Sequence, residues 1–181
     1  MSQILSRDFF NRPTLDISRE LLGKFLVRKK GSRVLSGMVT EVEAYVGMED
    51  KACHAAKGKT ERNKIMFEEA GLWYVYLVYG MYWMLNIVTE AKDFPAAILI
   101  RGIQTDQSHL NGPGKLTKAL AIDQRFNGKW AQAQTGLWFE DRGVSISSKQ
   151  MKQGKRIGIN YAGAWKHKPW RFFLDPAVLA L

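Results

Sequence analysis

Cysteine is nearly missing from this sequence. Cys53 is the only one in 181 residues, and a lone thiol can neither close an internal disulfide nor build a Cys-rich zinc site. Histidine is scarce as well: His54, His109 and His167 lie too far apart to suggest a metal cluster. The first residues, MSQILSRDFF, lack the basic head, apolar core and small-residue cleavage site of a secretory signal. Together these absences point to an intracellular protein with no structural metal. Repeats, low-complexity tracts and long linkers are absent too, so one domain over residues 1–181 is expected. Acidic residues are outnumbered, 17 against 27 Lys and Arg, for a formal net charge of +10. That surplus favours a polyanionic partner, and by itself fits nucleic acid and an anionic membrane surface equally well.

One stretch lacks charge altogether. Residues 71–88, GLWYVYLVYGMYWMLNIV, are long enough to raise the possibility of a membrane-spanning helix. Yet Tyr74, Tyr76, Tyr79 and Tyr82 are spread along it rather than gathered at its ends, where a bilayer would place tyrosine. The Tyr79-Gly80 pair in the middle reads as a tight turn, so two aromatic strands of a β-hairpin are predicted instead.

What is present elsewhere is ample apolar material, 46% of residues with 12% aromatic, enough for one sizeable core. PTLDISRELL (13–22) has helical spacing and is followed by Gly23 as a stop. Residues 25–45 alternate as strands, with Glu41, Glu43 and Tyr45 on one face and Thr40, Val42 and Ala44 on the other. Residues 50–64 are small, polar and basic and read as a loop or short helix. A strand is predicted at 96–102, a polar stretch at 103–114 and a helix at 115–122. Trp138, Phe139, Val144 and Ile146 then alternate, and KRIGINY (155–161) reads as a late strand. Short strands with a few helices give an α+β fold class: a single domain with a curved, largely antiparallel sheet, surrounding helices and a protruding β-hairpin.

Three clusters of residues could carry chemistry. Glu41 and Glu43 at i and i+2 on a strand lie close enough for burial or mutual repulsion to raise a pKa and create a base, although a solvated strand face is the plainer reading. Tyr74 and Tyr76 share a face with Tyr79 opposite them, where the plainer reading is core packing. GPGKLT (112–117) looks like part of a phosphate loop. His109 stands where that motif needs glycine and Thr117 falls one place late, so no nucleotide cofactor is expected, while the helix start and Lys115 could still meet a DNA phosphate.

Read in order, EVEAYVG with His54 downstream, RNKIMF, LWYVYLVYGMYWMLNI, ILIRG, GPGKLTKALAI and RIGINYAG with KPWRFF closely resemble the alkyladenine, or 3-methyladenine, DNA glycosylase family over nearly the whole chain. The resemblance implies a monofunctional enzyme that flips an alkylated or deaminated purine (3-methyladenine, hypoxanthine or ethenoadenine) out of double-stranded DNA and hydrolyses its N-glycosidic bond with an activated water. It implies Glu43 as the general base, and Tyr45, His54, Tyr76, Asn86 and Arg101 as substrate-binding. In this reading Tyr45 and His54 lie on one side of the flipped base and Tyr76 on the other, Asn86 crowds the amino group of guanine, and Tyr79 wedges into the minor groove. Lys57, Lys59, Arg62, Lys64 and Lys115, with Lys166, Lys168 and Arg171, are expected phosphate contacts. No cofactor, no metal and no membrane are expected, and the chain is expected to act as a monomer. After Arg101 the sequence departs from the family pattern, with Gly102, Ile103 and QTDQSHLN where an alanine and an acidic-proline turn are usual. The rival reading is a non-catalytic damage-binding protein, against which Glu43 speaks, since binding alone needs no carboxylate near phosphates.

Overall fold

The computed structural model describes residues 2–179. In chain order the elements are β1 (Gln3–Ile4), α1 (Arg7–Phe10), α2 (Thr14–Glu20), β2 (Phe25–Lys30), β3 (Arg33–Val46), β4 (Trp73–Val78), β5 (Tyr82–Val88), β6 (Ala96–Gln104), β7 (His109–Asn111), α3 (Pro113–Ala119), β8 (Leu137–Asp141), β9 (Met151–Gly154), β10 (Arg171–Leu174) and α4 (Pro176–Leu179). The strands form one open antiparallel sheet in the order β1-β8-β2-β3-β6-β5-β4, with β7 beside β6 and a β9–β10 pair beside β3. The fold is therefore α+β, as the pattern of short strands and few helices predicts.

Strand β3 organises the sheet. Its first half pairs with β2 and its second half with β10, while β6 runs along its other edge. Two bulges lie where β3 passes from one partner to the other. Val39 pairs with Ile103, Glu41 with Gly102 and Val42 with Ile100, so Thr40 is an extra residue on β3 and Arg101 an extra residue on β6. An extra residue reverses the in-out alternation of a strand. This is why Val39 and Val42, of opposite parity, both enter the main core, and why Ile100 and Ile103 do the same.

That core lies on one face of the sheet, where Val42, Ala44, Trp73, Val75, Leu85, Ile87, Ile98 and Ile100 meet Ile17 of α2, Leu21 just after it and Leu116 of α3. Gly23, at φ +85°, ends the turn after α2 in a conformation that side chains rarely adopt. Gly114 lets α3 approach the hairpin: a Cβ there would sit 2.6 Å from a ring carbon of Tyr82.

Residues 71–88 form the expected hairpin, and no helix among the described residues is long and apolar enough to cross a membrane. Three expectations fail locally. The polar stretch after residue 102 is not all loop, because β6 runs to Gln104 and β7 pairs back against it, Ile103 opposite Leu110. Val144 and Ile146 lie beyond the end of β8. KRIGINY is no strand: Gly158 takes φ +78°, the Arg156 side chain is buried on Asp50, and the chain curls into the 3-10 stretch Asn160–His167. A strand there would have to release that ion pair.

Candidate active site

Cross-strand partners share a face of a sheet, and the register draws one line of side chains across five strands. Tyr74 on β4 pairs with Asn86 on β5, Asn86 with Leu99 on β6, Leu99 with Glu43 on β3, and Glu43 with Arg171 on β10. Val88, Ala97 and Tyr45 form the next line. All of these point away from the main core. The Thr40 bulge sets the phase that puts Glu41, Glu43 and Tyr45 there, and the Arg101 bulge turns the arginine toward them.

Over this face lies a cavity of about 350 Å³, within the range of clefts that hold small ligands. Its floor comprises Tyr45, Tyr74, Tyr76, Met84, Asn86, Ala97 and Leu99, and its walls include His54, Arg62, Arg101, Ile157 and Tyr161. A smaller apolar cluster of Cys53, Ala55, Met66, Phe67 and Val88 packs with Tyr74.

Glu43 is fully buried and lies just behind the cavity wall. The Ile157 N–H donates to Oε1 at 2.7 Å, the Tyr45 hydroxyl donates to Oε2 at 2.8 Å, and Arg101 Nε is 3.5 Å from Oε1. All three partners line the cavity. Arg101 is held more closely by Glu41, at 2.8 Å, and Glu41 also accepts from Arg171 at 3.3 Å. Burial raises the Glu43 pKa, and its effect outweighs Arg101, the Ile157 N–H and the Tyr45 hydroxyl, which favour the charged form. Each carboxylate oxygen has two acceptor sites, so the hydrogen bonds leave capacity on both. A solvated strand face, the plainer reading of this pattern, does not describe it.

The aromatic wall is continuous. Tyr74 and Tyr76 ring centroids are 5.1 Å apart, His54 packs 4.6 Å from Tyr76, and His54 Nδ1 is 2.8 Å from the Tyr74 hydroxyl. His54 therefore shares a wall with Tyr76. The expected grouping with Tyr45 does not hold, because a base between His54 and Tyr76 would need a separation of roughly 7 Å, twice the optimal contact distance. Desolvation, with Arg62 nearby, lowers the His54 pKa and favours a neutral ring. Asn86 is buried, and its amide donates to the Tyr74 carbonyl at 3.0 Å.

At the rim, Tyr79 occupies the hairpin tip with 86% of its surface exposed. Its φ of +54° is unusual for an aromatic residue. Arg62 is exposed, lies 5.5 Å from the Tyr76 ring centroid and donates to the Leu77 carbonyl. Lys57, Lys59, Lys64 and Lys115 are exposed, Lys59 pairing with Glu68 and Lys64 with Glu61. Pro113, two residues before Lys115, lines the cavity. Lys168 lies over Trp165, and Arg171 is tied to Glu41 and the Lys155 carbonyl. Sequence reasoning passed over Tyr161, 70% exposed at the rim with its hydroxyl on the Ala52 carbonyl, and the Ile157 N–H. Both sit in the segment read as a strand, and a backbone donor leaves no mark in a sequence.

Residues 8–177 match the family model for methylpurine-DNA glycosylase. A protein of Methanocella arvoryzae is 42% identical over 186 aligned residues, covering 94% of this chain and 92% of its own. One from Myxococcus xanthus is 39% identical, covering 94% and 89%. A third, from the Wolbachia of Culex pipiens, is 54% identical over 127 residues, covering 68% and 67%. Each is provisionally named a 3-methyladenine DNA glycosylase.

Proposed function

The chain belongs to the methylpurine-DNA glycosylase family and is a DNA N-glycosylase of base excision repair; we propose that it draws alkylated or deaminated purines out of duplex DNA into the cavity over Glu43 and hydrolyses the glycosidic bond there. The observation that carries this reading is the fully buried Glu43 carboxylate, bonded to residues of the wall of an aromatic cavity. In the proposed reaction Glu43 takes a proton from water as the water oxygen bonds to the sugar C1′. The C1′–N bond breaks and its electron pair leaves with the base. A base alkylated on a ring nitrogen is cationic and departs as a neutral molecule, so such a lesion needs no acid. The tyrosine faces attract its charge while the His54 ring, kept neutral by burial, does not repel it.

Tyr79 supports the flipping step. A bulky residue held in left-handed backbone at an exposed tip costs about 1–3 kcal/mol, and such strain gathers at functional sites. Placed in the duplex, its ring would offset part of the stacking lost by the extruded base. Arg62 in the cavity wall and the exposed Lys57, Lys59, Lys64 and Lys115 suit contacts to phosphates, which position the duplex without reading its sequence. We further propose that the enzyme acts as a monomer, without a cofactor, and leaves the abasic strand uncut, since no amine is used as nucleophile.

The test is base release from duplexes carrying 3-methyladenine, hypoxanthine or ethenoadenine. Release by the native chain and its loss in Glu43→Gln are expected, with no borohydride-trapped adduct. Release undiminished in the variant, or a trapped adduct, contradicts the mechanism.

A further inference from the structure

We propose that the buried Arg156–Asp50 ion pair is the positioning device of the site, fixing the Ile157 N–H on Glu43 and the Tyr45 ring beside it; this rests on the reading of Glu43 as base. Both side chains of the pair are fully buried. Arg156 donates through Nη1 to Asp50 Oδ2 at 2.5 Å and the Ala44 carbonyl at 2.8 Å, and through Nη2 to Asp50 Oδ1 at 2.8 Å and the Trp165 carbonyl at 3.4 Å. Its guanidinium carbon lies 4.8 Å from the Tyr45 ring centroid and 5.1 Å from that of Trp170. Asp50 in turn accepts from the backbone N–H groups of Val46 and Ala52. One ion pair thus ties together the end of β3, the loop after it and the segment carrying Ile157. Arg171 secures the same segment one residue earlier, through the Lys155 carbonyl at 2.9 Å.

Geometry rather than stability is the economical explanation for this pair. Desolvating two charges costs as much as their attraction returns unless every donor is satisfied. Among the described residues, Arg156 Nε is buried and has no hydrogen-bond partner. Meanwhile the residue next to Arg156 supplies the shortest of the hydrogen bonds on Glu43.

The groups facing Glu43 are Tyr45 and Glu41 on its own strand, Arg101 from β6, Tyr76 from β4, Arg171 opposite on β10 and the Ile157 N–H. Of these, Arg101, Tyr45 and the Ile157 N–H favour the carboxylate form. Loosening the 155–157 segment weakens the last, so the Glu43 pKa rises further and activity at a given pH falls.

The variants to compare with the native chain are Arg156→Lys, which keeps the charge but not the two-pronged grip, and Asp50→Asn, which keeps the shape. Single-turnover base release from a hypoxanthine duplex at saturating enzyme is followed from pH 5 to 9, with folding checked by circular dichroism. Folded variants should release base at least about threefold more slowly on the acid limb, with that limb moved up by about half a unit or more. Rates that merely track the folded fraction, or an unmoved acid limb, overturn the proposal, as does loss of the fold in both variants. Undiminished release by Glu43→Gln would instead overturn the catalytic reading on which it rests.

Discussion

The two faces of one set of strands are built to opposite rules. On β4, β5, β6 and the second half of β3, one face carries Trp73, Val75, Leu85, Ile87, Ile98, Ile100, Val42 and Ala44, apolar and packed under α2 and α3. The other, one residue out of phase, carries Tyr74, Tyr76, Asn86, Leu99, Glu43 and Tyr45. Burial on the first face is favourable throughout. On the second it raises the pKa of Glu43, Tyr45, Tyr74 and Tyr76, because each is held where its charged form is poorly solvated. On these four strands the burial that disfavours a charged form thus lies on one side, and the other side carries the apolar packing.

The largest effect expected from breaking that division is in Glu43→Gln. Base release should fall by about 10²- to 10⁴-fold, the usual worth of a general base. Stability should move the other way. A carboxylic acid whose folded pKa is raised contributes stability below its unfolded pKa and loses it as pH rises through the folded value. Once the pH exceeds that folded value the native chain carries a buried charge that the variant lacks, and there the variant should melt at the same temperature or higher. Melting well below the native chain at alkaline pH would mean that the carboxylate holds the fold together.

On the opposite face, Leu85→Ala should lower unfolding free energy by about 2–5 kcal/mol, read from urea denaturation, because it empties a fully buried site. The folded fraction should keep native base release, and a larger loss of rate than of folded protein would couple the faces more tightly than the register suggests. A smaller change is expected at the hairpin tip. Asparagine tolerates left-handed backbone, so Tyr79→Asn should raise stability by up to about 1 kcal/mol while weakening binding to a lesion duplex by roughly tenfold, the scale of one aromatic ring stacked on a base. Smallest are single alanine substitutions of the rim cations. Removing one cation that meets a phosphate should reduce the slope of log affinity against log salt by about one. Arg62→Ala should do so more clearly than Lys59→Ala or Lys64→Ala, whose side chains already answer Glu68 and Glu61.

Local patterns announced the hairpin, because Tyr79-Gly80 interrupts two aromatic strands, and alternation alone grouped Glu41, Glu43 and Tyr45. The helix ending before Gly23 was equally legible. The bulges at Thr40 and Arg101 were not, since each exists only relative to a partner strand some sixty residues away. The same holds for the Arg156–Asp50 pair, whose members stand 106 positions apart. The wall shared by His54 and Tyr76 depends on a 3-10 turn folding back over β4, which no periodicity encodes. KRIGINY misleads because its alternation of apolar residues mimics a strand, while its arginine is buried as an ion.

The central claim is that a buried carboxylate on the site face acts in its ionised form. The most direct test is the pH dependence of single-turnover release of a cationic lesion base. The expected result is an acid limb above the value of about 4.3 for an unperturbed glutamate, with the rate rising as Glu43 ionises, and no such limb in the residual activity of Glu43→Gln. A flat profile from pH 4 to 8 in the native chain, or a limb that persists unchanged in the variant, would contradict it.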